Sequence, residues 1–340
     1  PVKIYMWHDM NAYGQYTDTV YFGTEVPGAT IYTNPDASEM FFHNHVSYGV
    51  NIDIDKIYDS ANPSTPYFFN TSKTTNMSWM FSQFQLSSTG IPFDCTNGNG
   101  VGPFGLMDTS NVTDMSAMFW YCRKVDLTGI ESWNVHKVTD ISRLFENVSD
   151  LTIPWGIGNW EFDNLQNVEG TFYIRAGSVE LNIEKWDLSH CDASKLFNTS
   201  IYAPTNIIRL GIGPKLIDKN GKVYFPNSYR MSENYDASGT AGILFYNGTW
   251  QNENTGAQYF QRKNIDQIEN SISGRIFLTG NGESYTEFEE NYLANPVGMS
   301  GAYIFGKGYI IRYDSSNHEK ANDANGRYLK FINYKKGVSY

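Results

Sequence analysis

The chain has 340 residues, 25 basic against 36 acidic, for a formal net charge of −11. Aromatics reach 16 % and charged residues only 18 %, which excludes an intrinsically disordered chain. The acidic balance argues against binding of nucleic-acid backbones or an anionic membrane surface, and no apolar run is long enough for a transmembrane helix.

The first residues, Pro1 to Asp9, lack a basic stretch followed by an apolar one. They therefore predict no signal peptide, and Pro1 reads as a start exposed by removal of an initiator Met. Residues 1–30 are rich in Tyr, Val and Ile, with expected turns at Gly14, Gly23 and Gly28. They predict strands, serving as a β cap or an attachment segment.

From there to about residue 205 the chain repeats itself. Asp108–Phe119 (DTSNVTDMSAMF) is echoed by Trp133–Phe145, Trp160–Phe172 and Trp186–Phe197, whose closing phenylalanines 119, 145, 172 and 197 are 26, 27 and 25 residues apart. Phe69–Phe81 fits the same template, and Asp36–Phe41 keeps its second half. The longer spacings around Phe41 and Phe81 imply loops inserted between the early copies, one of them the Gly/Asn-rich Thr96–Pro103. Within a copy, Val112, Met115, Met118 and Phe119 are spaced like one face of a short helical turn. Asp114 and its equivalents Asn76, Asp140, Asn167 and Asp192 are placed to cap it. The spacer Val125–Ile130 alternates apolar and polar, as a short strand does. Such a unit cannot bury its apolar face alone, whereas stacked copies can. The closing phenylalanines are expected to stack in the core, with Trp133, Trp160 and Trp186 forming a second internal ladder.

These residues resemble the repeats of BspA-type leucine-rich-repeat surface proteins, which also occur in mycoplasma-type lipoproteins. The resemblance is carried by the D-T-S-N-V-T-D-M-S-A-M-F run, a preceding Trp and a following Cys such as Cys122, over about residues 30–200. It implies an adhesin-like, non-enzymatic solenoid displayed outside a cell or particle. The expected fold is therefore mainly β: a right-handed, leucine-rich-repeat-like solenoid with short helical turns over residues 31–205. A β-rich C-terminal domain is expected at residues 206–340. In it, Lys215–Phe225 carries a hairpin signal with Asn-Gly at the turn. Gly242–Tyr246, Gly274–Leu278 and Tyr309–Tyr313 read as strands, and about Gln261–Ser271 as a helix.

Cys95, Cys122 and Cys191 are widely spaced, without a C-x-x-C pair, and read as free thiols rather than a disulfide framework or zinc site. His43 and His45, the alternating Asn51, Asp53 and Asp55, and Asp323–Gly326 read as solvated or turn residues, so no metal is expected. No triad order, HExxH, P-loop or GxGxxG occurs. Glu289 and Glu290 are neighbours on a possible helix and point apart. No catalytic residue and no cofactor is expected. Trp120 and Tyr121, and Tyr173, follow the closing phenylalanine of their copies and form an expected binding rim. The segment 82–106 beside it is expected to face outward, so that its deletion would leave the fold intact and abolish attachment.

Function is expected to be that of a virion surface or structural protein: a fibre, tail or capsid-decorating component of a bacteriophage, mediating host attachment. Particles assembled in the host cytoplasm and released by lysis need no export signal, although the repeat type belongs to exposed surfaces. Partners would be other virion proteins, within an oligomeric assembly, and a host-surface glycan or protein, without nucleic acid or membrane insertion. The alternative is a bacterial cell-surface adhesin trimmed of signal and anchor; an enzyme of glycan hydrolysis is the third class.

Overall fold

A computed structural model describes residues 4–10, 13, 16–24, 31–40, 69–83, 103–122, 127–148, 152–174, 179–197, 207–226, 229–231, 244–259, 267–270, 276–279, 287–313 and 329–331. The fold is mainly β, with one α-helix among these residues. Strands β1 (Ile4–Met10) and β2 (Tyr16–Thr24) form an antiparallel hairpin. Gly23, expected at a turn, instead lies inside β2 opposite Tyr5. β3 (Ile31–Tyr32) and β4 (Phe69–Asn70) pair in parallel and begin the repeats.

The copies stack through single parallel bridges along one column, Asp36 to Asn76 to Asp114 to Asp140 to Asn167. From that column onward, alternate backbone N–H groups serve the neighbouring copy. Those of Met115, Ala117, Phe119 and Tyr121 donate to the carbonyls of Asp140, Ser142, Leu144 and Glu146 at 2.7 to 3.1 Å. Met77, Trp79, Phe81 and Gln83 do the same toward Asp114, Ser116, Met118 and Trp120. The intervening N–H groups close turns within a copy: Met118 to Met115, Trp120 to Ala117 and Cys122 to Phe119. With the Ser116 N–H taken by Asp114 Oδ1, every N–H from Met115 to Cys122 is paired, as burial demands.

This corrects two expectations. The segment Met115–Cys122 is a chain of β-turns, not a helical turn. An α-helix would spend its N–H groups on carbonyls four residues back, leaving none for the next copy. The apolar spacing fits either structure, and the long-range bonds decide. Likewise Leu127–Ile130 forms no strand: a turn there leads into the 3-10 helix Ile130–Ser132. Equivalent 3-10 helices lie at Pro103–Leu106, just before Met107, and at Trp155–Asn159, just before Trp160.

Within the stack, Phe81, Phe119, Phe145, Phe172 and Phe197 lie ring on ring, with centroids 5.8 to 5.9 Å apart. Trp133, Trp160 and Trp186 form a second ladder at 6.0 to 6.2 Å. Each indole N–H donates to a carbonyl of the 3-10 segment of the neighbouring copy: Phe104, Ile130 and Ile157 respectively. Phe104 is 1 % exposed and meets Phe81, Phe119 and Trp133 edge-on. Residues 82–106 are therefore not all dispensable. Their end supplies a core side chain, and the buried Ser82 donates its hydroxyl to the Trp120 carbonyl. Deleting the whole segment would open the core. The segment's middle, residues 84–102, lies outside the described residues.

The last repeat runs directly into the C-terminal sheet. β5 (Val179–Ile183) pairs in parallel with β6 (Ile207–Ile212), so a crossover carrying the fourth copy joins two neighbouring strands. The sheet continues through β12 (Gly301–Tyr313) and β8 (Leu244–Asn252) to β7 (Tyr229–Met231), with β9 (Gln258–Tyr259) and β13 (Leu329–Phe331) alongside. A separate hairpin pairs β10 (Gln267–Asn270) with β11 (Ile276–Thr279). The stretch expected to be a helix from Gln261 thus contains a strand. The helix, α1, is Glu287–Ala294, with Glu287, Glu289 and Glu290 in its first turn, where negative charge suits the helix dipole. Its buried Phe288 and Tyr292 pack on Phe225, Tyr259 and Tyr303. The Tyr292 hydroxyl donates to the Gly213 carbonyl and accepts the Leu216 N–H. The expected hairpin at Lys215–Phe225 keeps its turn, closed by backbone and side-chain bonds of Asp218 to Lys222, but not its strands.

Candidate functional site

Because the copies are in register, each template position becomes a column running across the stack. The inward columns are nearly uniform. Met77, Met115, Ile141, Val168 and Ala193 share one, and the five stacked phenylalanines another, and all are buried. The column of Asp or Asn side chains is set by geometry as well. Its Oδ1 atoms accept the N–H two residues on, from Asn76 to Ser78, Asp114 to Ser116, Asp140 to Ser142, Asn167 to Glu169 and Asp192 to Ser194. An Asx turn needs that side-chain type.

Two further columns behave differently. One holds Glu39, Trp79, Ala117, Arg143 and Gly170, each with φ between 53° and 70°, and continues to Lys195. The third position of a type II turn needs such a φ, and glycine suits it best. Only one of the copies uses glycine. Glu39, Trp79, Ala117 and Arg143 instead hold a side chain in the left-handed region, at a cost of about 1–2 kcal/mol per residue. Gln83, Tyr121 and Asn147 form the second left-handed column, with φ of 61°, 61° and 59°. Between the two runs the column Ser82, Trp120, Glu146 and Tyr173. Local backbone chemistry explains none of this variety.

The expected rim residues lie here. Trp120 and Tyr121 are half-buried neighbours with ring centroids 5.0 Å apart. Tyr173 stands two copies along the Trp120 column, with Glu146 between them. Burial pushes the Tyr173 phenol above its ordinary value, Lys195 opposing and Glu169 and Glu146 adding to the effect. The structure adds Trp79, half-buried, with its ring 5.3 Å from that of Trp120. Its signal was in the sequence: a tryptophan where sister copies carry Ala, Arg or Gly. Ala117, next to Trp79 in that column, is 1 % exposed.

The polar half of the face carries Arg143 beside Glu146 at 3.5 Å and Lys195 on Glu169 at 2.7 Å. Both basic groups are more than half exposed, so the pairs add little stability. The Trp120 indole N–H on this face is shielded from water and has no hydrogen-bond partner, whereas the shielded Glu146 Oε2 meets Arg143 Nε at 3.5 Å. Leaving such a group unpaired costs about 1–3 kcal/mol.

The remaining candidates fall elsewhere. His43, His45, Asn51, Asp53, Asp55, Asp323 and Cys95 lie outside the described residues. Cys122 and Cys191 are buried free thiols, their Sγ atoms donating to the Phe81 and Leu188 carbonyls. Among the described residues no group of three His, Cys, Asp or Glu is arranged to hold a metal ion, and no helix is long and apolar enough to cross a membrane.

A mainly β protein of stacked repeats, with a variable aromatic and charged face, is the class these features define. A family described as "Mycoplasma protein of unknown function, DUF285" matches residues 93–207, the part of the chain that holds the Trp120–Tyr121 rim and the later copies. No curated protein and no solved structure matches the chain.

Proposed function

We propose that this chain is a non-enzymatic recognition protein on a virion surface, a fibre, tail or capsid-decorating component of a bacteriophage. In this reading the stacked copies wind into a leucine-rich-repeat-like solenoid akin to the BspA-type repeats. The supporting observation is the contrast between columns: uniformly apolar inside, but Glu, Trp, Ala, Arg and Gly at one position whose backbone favours glycine. A protein under selection for stability alone would place glycine or asparagine there. Catalysis plays no part in this reading. Its partners are other virion proteins, in an oligomeric assembly, and a host-surface protein or glycan. Mass spectrometry of purified particles tests it: the chain should be found in intact virions at stoichiometric level.

A second reading, a bacterial cell-surface adhesin, is favoured by the match to a mycoplasma family over residues 93–207. Protease shaving of intact cells separates the two. Peptides of this chain released from uninfected cells would support the adhesin and reject the virion component.

A further inference from the structure

Resting on that recognition reading, we propose that the face formed by Trp79, Trp120, Tyr121, Glu146 and Tyr173 binds an extended, uncharged polysaccharide running along the stack axis. The occupant follows from what the face offers and what it lacks. Trp79 and Trp120 lie on adjacent copies and Tyr173 two copies further along, and copies joined by backbone hydrogen bonds stand about 4.8 Å apart. That step is close to the length of one ring in an extended pyranose chain, so successive sugars can meet successive copies. The faces of Trp and Tyr suit the C–H faces of sugar rings.

The Trp120 N–H has no hydrogen-bond partner, and on the adjacent copy of the same column stands the Glu146 carboxylate, whose Oε2 meets Arg143 Nε at 3.5 Å. A sugar hydroxyl both accepts and donates, so a ring seated here can accept the Trp120 N–H and donate to the Glu146 carboxylate after a small rotation of either side chain. A peptide strand has no comparable purchase. The N–H groups of Trp79, Phe81, Ala117, Phe119 and Tyr121 are all used between copies, so the face presents no free edge for strand addition. The chain's charge of −11 disfavours an acidic glycan.

The test uses the full chain and two soluble probes, cellohexaose and chitohexaose, followed by tryptophan fluorescence and calorimetry. Wild type should bind at least one of them with a change in tryptophan emission. Trp79→Gly and Tyr121→Asn replace an aromatic ring by the residue that the same column carries at Gly170 and Asn147. They should weaken binding about tenfold or more while the melting temperature holds or rises. Glu146→Gln keeps an acceptor in place and should weaken binding less. The proposal is overturned if wild type binds neither probe, or if both ring-removing variants, folded, bind as wild type does. Failure here with the chain still present in virions would leave the display reading standing. Absence of the chain from both virions and cell surfaces would remove that reading too.

Discussion

Gly170 and Gly213 show how differently two glycines can be required. At Gly170 an added Cβ would meet only the Arg143 and Glu146 side chains, at 3.5 Å or more, but φ is +70°. The penalty for Gly170→Ala is therefore backbone strain alone, about 1–2 kcal/mol. At Gly213 an added Cβ would fall 1.6 Å from the Glu184 carbonyl oxygen, which is fixed backbone. Gly213→Ala must displace the chain and should cost more than Gly170→Ala in a urea titration. Phe145 lies between Phe119 and Phe172 and is 0 % exposed. Phe145→Ala should lower stability by about 3–5 kcal/mol; an unchanged denaturation midpoint would refute the stacked core. Burial pushes the Cys191 thiol up to about 12. A thiol reagent at neutral pH should leave Cys191 and Cys122 untouched in the folded protein, and should find all 3 cysteines of the chain after denaturation without reductant. Fewer would mean a disulfide.

At the scale of one copy, the structural unit is a pair of Asx turns followed by linked β-turns. The first Asx turn uses Asn70, Asp108, Asn134 or Asp187, and the second Asn76, Asp114, Asp140 or Asp192. Hydrogen bonds from Ser110 and Ser194 hold the Asp108 and Asp192 carboxyls below their ordinary value of 3.8. A carboxyl with a depressed folded-state pKa contributes stability that is complete above its unfolded value and disappears as pH falls through the folded one. The denaturation midpoint should therefore decline as pH drops below 3.8, the ordinary value. In an Asp108→Asn, Asp192→Asn double variant that decline should be shallower, because an amide oxygen accepts the same bonds without titrating. An identical slope in the two proteins would assign the acid sensitivity elsewhere. Thr71 and Thr109 add to each unit by donating their hydroxyls to carbonyls of the next copy, those of Asp108 and Asn134.

Across the molecule, the repeats and the C-terminal sheet are joined by more than chain continuity. β5 belongs to the repeats in sequence and to the seven-stranded sheet in pairing. Arg209 on β6 reinforces the join. It grips Glu253 with two bonds of 2.7 and 3.1 Å, reaches Glu180 on β5 and lies 4.1 Å over the Trp155 ring. Gly211 and Gly158 leave room for the Asn182 side chain, and a Cβ on either would fall within 2.4 Å of it. Beyond β6, the Lys215 carbonyl accepts the Leu188 N–H, and the buried Asp218 side chain accepts that of Ala193, so this segment covers the last copy. A fragment ending at residue 205 would lose β6 and that cover. It should unfold without a single cooperative transition, whereas the full chain's repeats and sheet should melt together by calorimetry and circular dichroism. A cooperative melt of the fragment would show that the repeats stand alone.

The repeat period, the phenylalanine and tryptophan columns and the Asx positions were legible in the sequence, because side chains that stack on their own kind must recur at one spacing. The rim residues Trp120, Tyr121 and Tyr173 were legible as variations on that pattern. The choice between helix and β-turns over Met115–Cys122 was not, since the apolar spacing suits both and the deciding hydrogen bonds run to a copy about 25 residues away. For the same reason the left-handed backbone at Trp79 and Tyr121 could not be read from residue types that ordinarily avoid it. Nor could the core position of Phe104 in an apparent insertion, or the β strand at Gln267–Asn270, both of which depend on partners distant in sequence. Local pattern determined what repeats and what is buried. Tertiary hydrogen bonding decided the backbone conformation, and with it which side chains are turned outward.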